Sequence, residues 1–309
     1  MRLALVCGLA EMLTCAAVRA AAPQDGGEAA CLYGQPLSVP PELRAQTLAD
    51  ANLFGPWDRV ADAIGAPPPR ALKNLAPEVL LTHSPWGEFE GAVLSRFPRA
   101  RVEVFDNGLV THLERRVPDE VRGRISRVWL TLAGDLPRPA WMDGSEVVEI
   151  PPAALRAAAR SALERAGPAA PEAGDGRPAR LVLGTAFYRI GRFTHGEERD
   201  LHRRLVEALW RESDAPILYK EHPRASLAPL LDELDGVIPI RSRLPVELWA
   251  EARPIRAAYS LSSTALLTLA RVWGVDSRAV AVHIGFDPPL RQVELLRAHL
   301  PAWPGTPDA

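Results

Sequence analysis

Four short clusters in this sequence carry side chains that can move a proton or hold a phosphate. Asp106-Asn107-Gly108 follows the apolar positions Val102 and Val104. A carboxylate at the end of a strand can take a proton from an attacking hydroxyl, and Gly108 permits a sharp turn there. Asp-Asn-Gly is equally an ordinary turn sequence. In Tyr219-Lys220-Glu221-His222-Pro223-Arg224, the proline keeps His222 out of the helical region. A histidine held extended after a strand can donate a proton to a departing phosphate; a surface-loop histidine is the plain alternative. Leu261-Ser262-Ser263-Thr264 precedes an apolar helical stripe. One serine is explained by an N-cap, but two serines and a threonine exceed that need. With the open amides of a helix start they form a phosphate site. In Leu244-Pro245-Val246-Glu247, Glu247 falls in a first helical turn. The helix dipole already favours it there, and a carboxylate can also bind both hydroxyls of a ribose.

These clusters need strands and helices to position them. Short apolar runs alternate with longer helical segments, the pattern of a mostly parallel α/β sheet. Strands are expected at Leu3–Cys7, Cys31–Tyr33, Val79–Thr82, Val102–Phe105 and Arg127–Leu132. Helices are expected at Ala10–Ala21, Leu43–Asn52, Trp57–Ile64, Gly87–Phe97 and Pro152–Arg165. Residues 166–179 read AGPAAPEAGDGRPA, have no apolar period, and form a linker. The second half predicts strands at Arg180–Gly184, Ile217–Tyr219, Gly236–Pro239, Ala257–Tyr259 and Ala279–Ile284. Its helices are expected at Glu197–Glu212, Leu227–Leu234, Pro245–Glu251, Ser263–Trp273 and Pro289–Leu300. The expected organisation is an N-terminal Rossmann-like domain over 1–165, the linker, a nucleotide-binding domain over 180–288, and a C-terminal helix and tail over 289–309. Two doubly wound halves facing a central cleft would hold ligands at the carboxyl ends of their strands.

The totals bound the reading. The chain has 309 residues, of which 47% are hydrophobic, enough for two cored domains. The formal net charge is −2, which gives no electrostatic reason to expect nucleic acid as a partner. The 3 cysteines, Cys7, Cys15 and Cys31, show no paired metal-ligand spacing and no disulfide framework, so no metal is expected and a reducing, cytoplasmic compartment is favoured. The apolar start can be read as a secretory signal with cleavage near Ala20-Ala21-Ala22, or as a buried strand followed by a helix. Glu11, inside the run, favours strand and helix. No later apolar stretch is long enough to span a membrane.

In order and spacing the clusters resemble the bacterial sialyltransferases, in particular the lipooligosaccharide sialyltransferase and polysialyltransferase families. Those share an acidic-acidic-Gly motif, a His-Pro motif and a Ser-Ser/Thr motif, here Asp106-Asn107-Gly108, His222-Pro223 and Ser262-Ser263. The Lys-x-His-Pro form and the Pro-x-Glu segment ending at Glu247 also match. The resemblance implies a GT-B-type glycosyltransferase. Its reaction would be inverting, metal-independent transfer of sialic acid from CMP-sialic acid to a hydroxyl of a glycan acceptor, without a cofactor. It implies Asp106 as general base, His222 at the CMP phosphate as general acid or its support, Ser262 and Ser263 holding that phosphate beside Pro223, and Glu247 at the cytidine ribose. Topology adds Gly184 and Thr185 to the nucleotide-binding set, and His83 and His112 are candidates for acceptor contact. Asn107 departs from the family's second acidic position. Capsule or lipooligosaccharide synthesis is the implied context, with association at the inner face of the membrane left open.

Three rival readings remain. A CMP-Kdo or other CMP-nonulosonate transferase would carry the same nucleotide motifs. A noncatalytic nucleotide- or glycan-binding relative would be consistent with Asn107, and a two-lobed periplasmic binding protein would require a cleaved leader.

Overall fold

Arg2-Leu3-Ala4-Leu5-Val6 has almost nothing polar and no amphipathic alternation, as a strand covered on both faces requires. It forms β1 (Arg2–Val6), buried along its whole length. The computed structural model describes residues 1–22, 29–35, 47, 49–55, 57, 59–64, 72, 74–106, 108–134, 136–167, 177–222, 231, 236–280 and 291–303. The chain divides into two compact units, Met1–Ala170 and Pro171–Ala309.

In the first unit β1 is joined by β2 (Ala29–Gln35), β3 (Arg59–Ile64), β4 (Val79–Thr82), β5 (Arg101–Phe105), β6 (Ile125–Leu130) and β7 (Glu146–Glu149). Their order is β3-β2-β1-β4-β5-β6-β7, with every pairing parallel. Helices α1 (Leu9–Ala21), α2 (Glu88–Arg96), α3 (Asp119–Arg122) and α4 (Pro152–Ala166) accompany them. Val93 and Leu94 of α2 pack with Leu3, Leu80, Val102 and Val128 in one core cluster. α1 packs against α4, whose buried positions include Ala158, Ala159 and Ala162, small enough to let the two backbones approach. Cys15 and Cys31 lie buried, and burial pushes both thiols up, Cys15 to about 12, so neither is a reactive group.

The second unit contains β8 (Ala179–Leu183), β9 (Ile217–Lys220), β10 (Val237–Ile240), β11 (Ile255–Ser260) and β12 (Asp276–Ala279). They pair in the order β10-β9-β8-β11-β12, again all parallel. Helices α5 (His195–Glu212), α6 (Val246–Ala252), α7 (Ala265–Trp273) and α8 (Arg291–His299) complete it. α5 begins with a capping box in which Thr194 and Glu197 satisfy each other's amides. Leu201, Leu205 and Leu209 of α5 pack with Val182, Ile217 and Tyr219 of the sheet.

One arginine in each unit ties a helix end to the sheet, Arg124 half-buried and Arg180 buried. Arg124 donates to the carbonyls of Leu94, Phe97 and Ala100. Arg180 donates to those of Leu209, Ser213 and Ala215. Arg124 meets the carbonyls at and after the C-terminal end of α2, and Arg180 those at and after the C-terminal end of α5, where the negative dipole end lies.

Two expectations from the sequence are corrected. Trp57–Ile64 is not a helix: Arg59–Ile64 is β3, paired with β2 from Ala30↔Arg59 to Gln35↔Ile64. An eight-residue helical pattern is too short to hold itself, and pairing with the open edge of β2 overrides it. The strand expected to start at Ala279 begins at Asp276 instead, because Gly274 closes α7 in the left-handed conformation at φ 66° and leaves only Val275 before β12. Residues 281–284 lie outside the described residues. So do 43–46 and 48 of the first expected helix after β2, all of Leu227–Leu234 except Leu231, and 289–290. β7 was not anticipated; its pattern Glu-Val-Val-Glu leaves it half exposed at the sheet edge.

Buried Glu198 organises the loop after β8. It accepts from the Thr185 hydroxyl, from the Phe187 amide at 3.0 Å and from the Tyr188 amide at 2.7 Å. Glu198→Ala removes three donors' common acceptor. We expect a loss of at least about 2 kcal/mol in urea unfolding, and a smaller loss for Glu198→Gln, which keeps one acceptor oxygen.

Candidate functional site

In a doubly wound parallel sheet the loops diverge where the strand order reverses, and that crevice at the carboxyl ends is the place for a ligand. In the second unit the reversal falls between β8 and β11. Gly184 and Thr185 follow β8, and Ser262 and Ser263 follow β11, so the two pairs flank this point. Ser260, the last residue of β11, shapes the loop. Its hydroxyl donates to the Leu183 carbonyl at 2.9 Å and accepts from the amides of Ser262 at 3.4 Å and Ser263 at 3.2 Å. The N-cap of α7 is Thr264, and it makes no side-chain cap. The amides of Leu266 and Leu267 in its first turn already donate to the carbonyls of Ser263 at 3.3 Å and Thr264 at 3.1 Å. Gly184 is required by space: a Cβ there would stand 2.8 Å from the Tyr219 hydroxyl.

His222 leaves the same edge one strand away, two residues past the end of β9. Adjacent strands lie about 4.8 Å apart, so the tips of β9 and β11 are about 10 Å apart. Lys220, the last residue of β9, is buried and donates to the Ser242 carbonyl at 2.6 Å. Burial lowers its ammonium to about 8, against the opposing fields of Glu247 and Glu221. Glu247 sits in the first turn of α6, which follows β10, and acts electrostatically on Lys220. Pro245 is the N-cap of that helix.

The first unit carries its polar groups on the corresponding edge. Asp106 directly follows β5 and is 4% exposed. Its Oδ2 accepts from the Thr131 amide at 3.0 Å, at the tip of β6. Its Oδ1 has no partner in hydrogen-bond geometry among the described residues. Burial raises the Asp106 carboxyl above its ordinary value; His112 and hydrogen bonds from Thr131 and Thr111 oppose that rise. His112 lies in the short 3-10 turn Val110–His112 after Gly108, which has φ 63°. Its Nδ1 stands 3.1 Å from the Pro137 carbonyl, so Nδ1 carries the proton in the neutral ring and Nε2 is left as acceptor. His83 follows β4, beside β5, and its ring centroid is 6.0 Å from that of Phe105.

Six of the residues singled out in the sequence thus occupy one edge of the second sheet: Gly184, Thr185, His222, Glu247, Ser262 and Ser263. Three occupy that of the first: His83, Asp106 and His112. Pro223 and Asn107 lie outside the described residues. Thr185 is buried with its hydroxyl held by Glu198. His83 and His112 are buried as well. Sequence reasoning did not assign Lys220, Ser260 or Thr131, although Lys220 and Ser260 follow expected strands and Thr131 lies within one. Lys220 was visible in the Lys-x-His-Pro form, and Ser260 in the spacing Ser-Leu-Ser-Ser.

Solved structures share this arrangement. UDP-GlcNAc 2-epimerase from Neisseria meningitidis bound to UDP-GlcNAc superposes with a TM-score of 0.56 at 13% identity, over 92% of this chain and 84% of that one. A UDP-GlcNAc 2-epimerase from Methanocaldococcus jannaschii gives 0.55 at 12% identity, over 91% and 84%. The GT-B domain of a sialyltransferase from Photobacterium damselae gives 0.51 at 11% identity, over 91% and 90%. No curated protein is matched by the sequence. The fold is GT-B, two Rossmann-like domains, and the protein is a glycosyltransferase. Residues 158–281 match the alpha-2,8-polysialyltransferase family, a span that contains His222-Pro223, Glu247 and Ser262-Ser263 but not Asp106. The likeness to the sialyl- and polysialyltransferases therefore holds, and with it sialyl transfer as the general activity.

Lys220 supplies a test of the burial at this edge. Its folded pKa lies below the ordinary 10.5, so the unfolded chain binds that proton more tightly, and stability rises with pH between about 8 and 10.5. Measured against Lys220→Met, the wild-type chain should gain up to about 1.4 kcal/mol per pH unit across that window.

Proposed function

We propose that this enzyme transfers a sialic acid from CMP-sialic acid to a hydroxyl of a glycan acceptor, with inversion and without a divalent ion at the phosphate. The observation that supports the reading most is the second unit's reversal point. There the Ser262-Ser263 loop, the α7 start and Gly184 meet on the edge that also carries His222, all within the span matched to the polysialyltransferase family.

In this reading the second unit holds the donor. The bond between the sugar's anomeric carbon and the phosphate oxygen breaks, and CMP departs with the electron pair. Ser262 and Ser263, beside the positive dipole end of α7, meet the charge that develops on the phosphate, while His222 donates to it. Preorganised donors of this kind typically contribute about 100- to 1000-fold each in rate. Glu247 takes the ribose hydroxyls, and Gly184 lets the β8 tip pass close beside Tyr219 at the nucleotide's edge of the sheet. Thr185 contributes through its bond to Glu198, which sets the course of the loop. A single phosphate whose charge these groups share gives no need for magnesium.

The first unit activates the acceptor. Asp106 takes the proton of the attacking hydroxyl, with His112 next to it, and attack opposite the departing CMP inverts the anomeric carbon. A carboxylate raised by burial is a stronger base than an ordinary aspartate.

Asp106→Asn should lower transfer by about 100- to 10,000-fold while CMP affinity stays within a few fold. The base works deprotonated, so a raised pKa moves the acid limb of kcat/KM toward neutrality. A limb centred at or below about 4, the ordinary aspartate value, would remove Asp106 from that role. His222→Ala should slow donor hydrolysis and transfer together. Rates in magnesium- and manganese-free buffer should equal those with either ion added, whereas a strict requirement for one of them would overturn the metal-free phosphate site.

A further inference from the structure

The first sheet has its own reversal point, between β1 and β4, and it gathers three residues of a different chemistry. Cys7 directly follows β1, His83 directly follows β4, and Glu90 lies in the first turn of α2. The Cys7 Sγ is 3.5 Å from Glu90 Oε1, and the His83 Nε2 is 3.6 Å from the same oxygen. One ligand atom from each of the three lies within 4.8 Å of the other two.

We infer that Cys7, His83 and Glu90 bind one zinc ion. Zinc bonds are about 2.3 Å to sulfur, about 2.05 Å to nitrogen and about 2.0 Å to oxygen, so a tetrahedral ion holds sulfur and oxygen about 3.5 Å apart and nitrogen and oxygen about 3.3 Å apart. The two separations to Glu90 Oε1 need little adjustment, and the sulfur and the imidazole nitrogen, within 4.8 Å of each other, close to about 3.6 Å around the ion. Burial points the same way. Glu90 is 4% exposed and His83 5%, and among the described residues the side chains hydrogen-bonded or ion-paired to Glu90 are a thiol and an imidazole, not a lysine or arginine. A carboxylate withdrawn from water needs a positive partner, and a divalent ion supplies one. Thiolate, imidazole and carboxylate together suit zinc, not magnesium or calcium. Three protein ligands leave a fourth position for water or another oxygen.

Gly87 belongs to this site. A Cβ at Gly87 would stand 2.0 Å from Glu90 Oε2, so a methyl there must displace the carboxylate. All three ligands lie in the first unit, whereas the proposed phosphate-holding residues lie in the second, so the ion and the donor reaction can be examined separately.

The experiment is a zinc titration of metal-free protein against a chromophoric chelator, repeated with cobalt. One zinc per chain is expected, with a thermal midpoint that rises on zinc addition and a thiolate-to-cobalt charge-transfer band. Cys7→Ser, His83→Ala and Glu90→Gln should each weaken zinc binding by more than the about 10- to 100-fold that loss of an outer partner costs, and Cys7→Ser should lose the cobalt band. Gly87→Ala should weaken binding with all three ligands still in place, and circular dichroism of the metal-free variants separates loss of the site from loss of the fold. Zinc retained undiminished by Cys7→Ser, or wild-type protein whose cobalt spectrum lacks the thiolate band, would overturn the assignment. If a variant does not fold, the wild-type stoichiometry and cobalt spectrum decide.

Discussion

When every strand of a sheet runs the same way, the chain must return across a face after each strand, and all carboxyl ends gather along one edge. Where successive returns switch from one face to the other, the loops part and leave a crevice. Both units of this protein obey that constraint, with reversals at β1/β4 and at β8/β11. Nearly everything chemical in the molecule hangs from those two edges. Gly184 meets Ser262 and Ser263 at one; Cys7 meets His83 at the other, with Asp106 a strand further along. The side chains do not choose these places individually. They are delivered by the order in which the strands add.

The second theme is how charge is kept at edges that are partly dry. Lys220, Asp106, Glu198 and Glu90 are all buried, and each is handled differently. Glu198 takes two backbone amides and a hydroxyl and serves as a structural knot. Lys220 leans on a carbonyl in the field of two carboxylates and still loses part of its hold on a proton. Asp106 keeps one oxygen on the Thr131 amide and the other without a hydrogen bond, a costly state for a residue whose only task was to turn the chain. The contrast with the exposed pair Arg278 and Asp276, 2.8 Å apart and contributing little, shows where electrostatics carries weight in this fold.

The elements that were hard to anticipate share one location. β3, β7 and β12 all terminate a sheet. Central strands such as β1 and β8 are covered on both faces and write themselves as apolar runs. An edge strand is free of that demand, and Glu146-Val147-Val148-Glu149 or Asp276-Ser277-Arg278-Ala279 has no reason to look like one. Its identity comes from an open ladder of amides and carbonyls on the neighbour. The same physics turned the helical pattern around Val60 into β3.

The sequence by itself determined what local chemistry can determine. Buried parallel strands, capped helices and the motifs at Asp106, His222, Glu247 and Ser262-Ser263 are each written within a few residues, because burial period, capping and turn chemistry act over that range. It could not determine which strand tips become neighbours. Cys7, His83 and Glu90 have no telling spacing, and three cysteines without paired ligands gave no sign of a metal site. Nor did the sequence show that Ser260 would shape the serine loop by reaching back to Leu183. Those meetings depend on strand order, and strand order is decided by which open edges find partners once the whole chain has folded.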